Sequence, residues 1–142
     1  MQITRHTDFS LRLLILLSLQ EKGVLLTIDS AATQLNIPKN HLAKVAHKLA
    51  QHDFIKTVRG NQGGICLTKQ SHQIILGHVV RTMEMNLEIV DCDKPQCPLL
   101  GGCELKGILD NARDAFLSTL DKYNLADISK QSTELKRRFI WS

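Results

Sequence analysis

Three cysteines, Cys92, Cys97 and Cys103, stand in a C-x4-C-x5-C run, Asp91-Cys92-Asp93-Lys94-Pro95-Gln96-Cys97-Pro98-Leu99-Leu100-Gly101-Gly102-Cys103. Thiolates so close in sequence can meet at one centre only where the backbone turns, and Pro95, Pro98, Gly101 and Gly102 supply the turns. Glycine also lets backbone N–H groups approach sulfur and stabilise its negative charge. Zinc favours paired short spacings such as C-x2-C, which are absent. A disulfide would use two cysteines and strand the third. The irregular spacing fits an iron–sulfur cluster better, with a fourth ligand from elsewhere, while zinc and thiol chemistry remain open. Cys66 alternates with Ile65 and Leu67 in an expected strand and reads as a small, partly buried residue.

The compartment decides how such cysteines are read. The apolar stretch at 11–19 is broken by Arg12 and Ser18 and is far too short to cross a bilayer. Asp8 precedes it, and Gln20-Glu21-Lys22 stands where a secretory cleavage site would need small residues. A cytosolic protein is expected, and reducing surroundings favour metal or redox roles over structural disulfides. The chain has 142 residues, 43% hydrophobic and 23% charged, enough for one domain with an extension and too apolar for disorder. Aromatics are only 4%, so the core must be aliphatic. No repeat or low-complexity run is present.

The elements that must position the cysteines follow from periodicity. A largely buried helix is expected over 9–19, with Thr7 as N-cap and Asp8 in its first turn. Thr27 caps a second helix to Leu35, with Asp29 near its positive end. A third runs over 38–51. Short strands at 54–58 and 65–68 flank a Gly60-Asn61-Gln62-Gly63-Gly64 tip. Helices over about 74–85 and 104–123 bracket the cysteine loop.

The second and third helices are joined through Asn36-Ile37. Asn tolerates a left-handed backbone there, and Pro38 suits the first turn of the next helix. Leu42, Val45, Ala46 and Leu49 give that helix a core face. The opposite side carries Lys39, Asn40, His41, Lys44, His47 and Lys48, groups that read base edges and neutralise phosphates. Arg59, with Asn61 and Gln62, sits on a thin tip suited to the minor groove. From residue 36 to 72, six Lys/Arg oppose one acid, Asp53, a local excess of five in a chain whose total is +4. This basic concentration is what a polyanion binder needs. The expected fold is mostly α with a small β-hairpin, a winged helix-turn-helix that binds double-stranded DNA. No nucleophile motif or phosphate-cradling loop points to an enzyme.

The opening Met1-Gln2-Ile3-Thr4 with Thr7-Asp8-Phe9, the wing Val58-Arg59-Gly60-Asn61-Gln62-Gly63-Gly64-Ile65, the Val90-Asp91-Cys92 entry and the Tyr123-Asn124-Leu125-Ala126-Asp127 exit carry a resemblance. Together with the cysteine spacing, they resemble the winged-helix family that contains nitric-oxide-sensing repressors and regulators of iron–sulfur biogenesis. The resemblance covers the chain to about Ile128 and is nearer to the nitric-oxide-sensing branch. It implies a homodimer on a palindromic operator, with one cluster per subunit held by Cys92, Cys97 and Cys103. It also implies a fourth ligand, Asp8, from the other subunit, and nitric oxide as effector. Three cysteines and an aspartate serve [2Fe–2S] or [4Fe–4S] equally. In the biogenesis branch a histidine follows the last cysteine by three residues, whereas this chain has Lys106, which as an ammonium ion cannot ligate. That branch also reads bases with a glutamate where this chain has Ala43.

The expected organisation is a DNA-binding domain at 1–85, a cluster loop at 86–103, a dimerisation helix at 104–128 and a tail at 129–142. Leu105, Ile108, Leu109, Ala112, Phe116 and Leu120 form an apolar stripe at helical spacing, to be buried against a second copy or the chain's own domain. Two other functions are consistent with the residues: a regulator that senses cluster occupancy or iron status, and a zinc or thiol-redox module.

Overall fold

The computed structural model describes residues 2–130 and 133–140; Met1 and, in the tail, Gln131, Ser132, Trp141 and Ser142 lie outside the described residues. Helix α1 (Arg5–Ser18) is the central element and buries Leu13, Leu14, Leu16 and Leu17. Each leucine so buried contributes roughly 1.5–3 kcal/mol of transfer free energy. The helix begins four residues earlier than its apolar pattern implies. Its N-cap is Thr4, whose Oγ1 accepts the Thr7 N–H at 3.3 Å, and not Thr7. Thr7 is buried inside the first turn because its hydroxyl is bonded to Glu84.

Helices α2 (Ile28–Leu35) and α3 (Lys39–Gln51) pack on α1 as a helix-turn-helix. Thr27 caps α2 as expected, accepting the Ser30 N–H at 3.1 Å. Asn36 ends it in the left-handed conformation, φ 52°. Pro38 is the N-cap of α3, one position before the first turn, and its extended ψ of 130° starts the chain turning into the helix. Leu42, Val45, Ala46 and Leu49 form the buried face.

Strands β1 (Ile55–Val58) and β2 (Gly64–Leu67) pair antiparallel, with Ile55 opposite Leu67 and Val58 opposite Gly64. Leu26 and Ile65 exchange two backbone hydrogen bonds, 3.0 and 2.8 Å. That rung fastens the hairpin to the entry of α2, making it a wing. The fold is therefore a winged helix-turn-helix, mostly α with one small sheet.

A 3₁₀ turn (Ser71–Gln73) leads into α4 (Leu76–Met83), shorter at both ends than its hydrophobic pattern. After the cysteine loop comes α5 (Glu104–Asp121). The segment 104–128 is not one helix: α5 stops, Asn124 turns extended, and α6 (Leu125–Ser129) starts on an Asn124–Asp127 capping box. The break is set by backbone pairing with the start of α4, where the Leu76 N–H donates to Tyr123 O at 3.0 Å and the Leu125 N–H to Ile74 O at 2.9 Å. Leu125 is thereby driven into the core. Arg81 holds Asp121 with two bonds of 2.6 and 2.7 Å. A Cβ at Gly77 would stand 2.0 Å from Asp121 Oδ1, so glycine leaves α5 room to close on α4. In the tail, α7 (Thr133–Ile140) packs Phe139 against the core.

Candidate DNA-reading face and cysteine pocket

The outer side of α3 presents Asn40, His41, Ala43, Lys44 and His47 to solvent. Lys39 is also exposed and forms an ion pair with Asp29 at 2.7 Å, which ties the start of α3 to α2. Lys48 stands apart from this group: it is half-buried and its Nζ donates to Met83 O at 3.0 Å. Arg59, Asn61 and Gln62 are exposed at the wing tip, where the Gly63 N–H closes the turn on Gly60 O at 3.0 Å. The α3 face and the wing thus form two basic, solvated surfaces held by one aliphatic core.

The cysteine loop is built from local turns. Asp91 Oδ1 accepts the N–H groups of Asp93 and Lys94 at 2.9 and 3.1 Å. The Cys97 N–H donates to Cys92 O at 2.8 Å, and the Leu100 N–H to Cys97 O at 3.1 Å. Gly101 has φ +97°, a conformation that side-chain-bearing residues rarely adopt, and it reverses the chain before α5. Cys103 is the N-cap of α5 and places its thiol at the entry of that helix.

Cys92, Cys97 and Cys103 line one pocket of about 430 Å³ with Gly101, Gly102, Lys106 and Asp110. All four cysteines of the chain are free thiols, and Cys66 lies in β2, outside this pocket. Partial burial pushes the Cys92 thiol up, neighbouring Cys97 adds to this, Lys106 pulls it down, and Cys103 and Asp93 raise it again. Lys106 itself is held cationic by its 2.9 Å hydrogen bond to Asp110. Among the described residues, no three His, Cys, Asp or Glu side chains already stand together as a metal-binding group. The donor set nonetheless fits a metal cluster: three free thiols line one pocket, and bound iron would replace their protons.

Asp8 lies elsewhere in the same chain. Its carboxylate is gripped by Arg12, Nε to Oδ1 at 2.9 Å and a guanidinium N to Oδ2 at 2.7 Å. His78 packs its ring at 5.4 Å on Phe54 and does not line the cysteine pocket. Sequence reasoning did not single out Glu84, which binds the start of α1, or Asp110 as a wall of the pocket. The first pairs residues 80 apart, which no local pattern signals. The second could have been found, since Asp110 is four residues beyond Lys106 and seven beyond Cys103 on the same helix.

Of α5, only Leu117 is buried. Leu105 and Ile108 are 59% and 61% exposed and Phe116 37%, so much of the apolar stripe is left uncovered by the chain's own domain, while Leu109 and Leu120 are half-buried.

A winged helix-turn-helix with a basic reading helix and a basic wing defines a DNA-binding transcriptional regulator. The chain belongs to the Rrf2 family, whose model, described as an iron-dependent transcriptional regulator, matches residues 3–131. It is similar to the HTH-type transcriptional regulator NsrR of Halalkalibacterium halodurans, 42% identical over 139 residues that span 96% of this chain and 95% of that protein. NsrR of Bacillus subtilis is 39% identical over 140 residues, 96% of each chain. Among solved structures, CymR, the global cysteine regulator of B. subtilis, superposes with a TM-score of 0.77 at 21% identity, covering 93% of this chain and 98% of that one. T. potens IscR gives 0.77 at 19% identity, covering 95% and 90%. These two show the shared fold. The relatives are regulators and not enzymes. No helix among the described residues is long and apolar enough to cross a membrane.

Proposed function

We propose that the chain is a homodimeric transcriptional repressor whose operator affinity depends on an iron–sulfur cluster and falls when nitric oxide attacks it. The observation that carries this reading is the gathering of Cys92, Cys97 and Cys103 around one pocket at the start of α5, the helix with the uncovered apolar stripe. Those three residues would hold a [2Fe–2S] or [4Fe–4S] cluster, one per subunit, with the partner subunit's Asp8 as fourth ligand. When bound, the cluster supplies an iron open to a small diatomic, because one carboxylate among three thiolates exchanges more readily than sulfur.

The chain's own residues do the rest. Arg12 orients the Asp8 carboxylate, and α1, which carries both, packs directly on α3. Freeing Asp8 therefore frees the element on which the reading helix rests. Lys39, Asn40, His41 and Lys44 of α3 and Arg59, Asn61 and Gln62 of the wing would contact a palindromic operator, while Lys48, expected with them, is turned inward to Met83 O. In the dimer the two α3 helices must enter major grooves about 34 Å apart. A hundredfold difference in affinity between cluster states needs only about 2.7 kcal/mol.

Anaerobic purification tests this directly. Cys92→Ala, Cys97→Ala and Cys103→Ala should each abolish visible absorption and tight operator binding; unchanged colour removes the cluster. Zinc in place of iron and sulfide would make the chain a zinc or thiol-redox module. Asp8→Ala should leave an unstable cluster with altered nitric oxide sensitivity, and wild-type behaviour would transfer the fourth-ligand role to another donor, Glu104 and Asp110 of the pocket foremost. The family's description as iron-dependent favours a second reading, in which cluster occupancy itself signals iron or iron–sulfur status. Operator release by iron depletion but not by stoichiometric nitric oxide would establish that reading instead.

A further inference from the structure

We propose that Glu84 is a positioning residue for the DNA-reading unit: its carboxylate clamps the first turn of α1 to the end of α4, and the adjoining Met83 carbonyl carries that clamp to α3 through Lys48.

Glu84 is the C-cap of α4, with extended ψ of 127°. An acid there opposes the negative end of its own helix, so α4 gains nothing from it. Its partners are all on α1. The Thr4 N–H donates to Oε1 at 3.0 Å and to Oε2 at 3.3 Å. Thr4 Oγ1 donates to Oε2 at 3.1 Å, and the Thr7 hydroxyl donates to the same oxygen. A carboxylate at the positive end of α1, with charge-assisted bonds to one backbone and two hydroxyl donors, is a strong local fastening.

The neighbouring residue continues the chain of contacts. Met83 is buried, and its carbonyl accepts Lys48 Nζ at 3.0 Å. Lys48 belongs to the last turn of α3. His6 completes the junction: burial lowers it, the Lys48 cation lowers it further, and Glu84 acts in the opposite direction. Its Nε2 is buried without a hydrogen-bond partner. α1, α3 and α4 therefore meet in one polar knot made of Thr4, His6, Thr7, Lys48, Met83 and Glu84.

The knot lies next to both ligand-bearing segments of the chain, which would serve two different clusters of the dimer, and this inference rests on that reading only for its regulatory use. Asp8 follows Thr7 directly, and the loop that leaves Glu84 reaches Cys92 eight residues later. A shift of either strand pulls on the same carboxylate, and Lys48 passes the movement to the reading helix.

The experiment uses full-length protein isolated anaerobically and compared at equal iron and sulfide content, so that a change in cluster loading is not read as a change in the clamp. Amide hydrogen exchange would be compared among wild type, Glu84→Ala and Glu84→Gln, the last keeping shape and an acceptor. The same three proteins would be titrated with a duplex selected from a random pool against the wild-type dimer. The proposal expects Glu84→Ala to raise exchange tenfold or more in residues 5–8 and also in 45–51, with wing amides unchanged and duplex affinity down about tenfold. Glu84→Gln should fall between it and wild type. Faster exchange confined to residues 5–8 with affinity within twofold would make Glu84 a helix cap and nothing more, overturning the proposal. Uniform loss of protection in both variants, or no change in either, would also overturn it. Iron and sulfide content of the wild type as isolated is measured separately; their absence would sink the cluster reading and leave the clamp result standing.

Discussion

Leu125 shows how much one side chain far along the sequence can decide. It is fully buried on a helix of five residues, α6 (Leu125–Ser129), which packs on α1 and adds this side chain to the core. Leu125→Ala should cost about 2–5 kcal/mol of stability, measured by chemical denaturation, because so short a helix can refill the cavity only in part. Asp121 acts through charge. Its hydrogen bond to the Arg81 guanidinium holds the carboxyl below the usual carboxylate range, against a smaller opposing effect of burial. A depressed carboxyl stabilises the fold above its unfolded pKa, and that contribution is lost as pH falls through the folded value. The difference in melting temperature between wild type and Asp121→Asn should therefore be present at neutral pH and vanish on acidification below the carboxylate range. The pair is solvent-exposed, so the effect is modest and shrinks with salt.

At the scale of the element, the proposed function divides the work of DNA contact between α3 and the wing. Lys44 is exposed on the outer face of α3 and has no ion pair among the described residues, and Arg59 is exposed at the wing tip. Lys44→Ala and Arg59→Ala should each weaken duplex binding and lower the slope of log affinity against log salt by about one phosphate contact. Neither touches the cysteine pocket, so iron and sulfide content should match wild type; a variant that loses its cluster would end this division of labour. Lys48 behaves differently from its neighbours on the same helix. Its ammonium is already engaged by Met83 O, so substitution should disturb the seat of α3 as well as any phosphate contact.

The whole molecule is organised around α5, half docked and half projecting. Its C-terminal end is tied to α4 by Arg81–Asp121 and to the core by Leu117 and the Tyr123–Leu125 return. Its N-terminal half carries the cysteine pocket on one side and exposed Leu105 and Ile108 on another. In the proposed homodimer this uncovered apolar surface is the face that a second copy would cover. Ile108→Glu should convert the dimer to a monomer in sedimentation and reduce palindrome binding at least tenfold, while the melting of each chain's core changes little. An unchanged sedimentation coefficient would place the dimer contact elsewhere.

What the residues alone determined is what a few neighbours can encode. Thr27 as a cap, Asn36 in the left-handed turn, the apolar face of α3 and the glycine-rich wing all depend on spacings of one to four residues, and each forms where its pattern points. The pattern misplaced the first cap because Thr4 and Thr7 both suit that role, and only a carboxylate 80 residues away decides between them. It ends the long helix near Tyr123, close to the observed Asp121, but the extended return through Asn124 is fixed by pairing with Ile74 and Leu76, which no local window shows. Tertiary structure alone decided which face of α5 stays bare, which lysine of α3 is tied inward, and that three thiols and an ion pair share a pocket. Such outcomes turn on distant chain segments packing together, and their energies are absent from any short window of sequence.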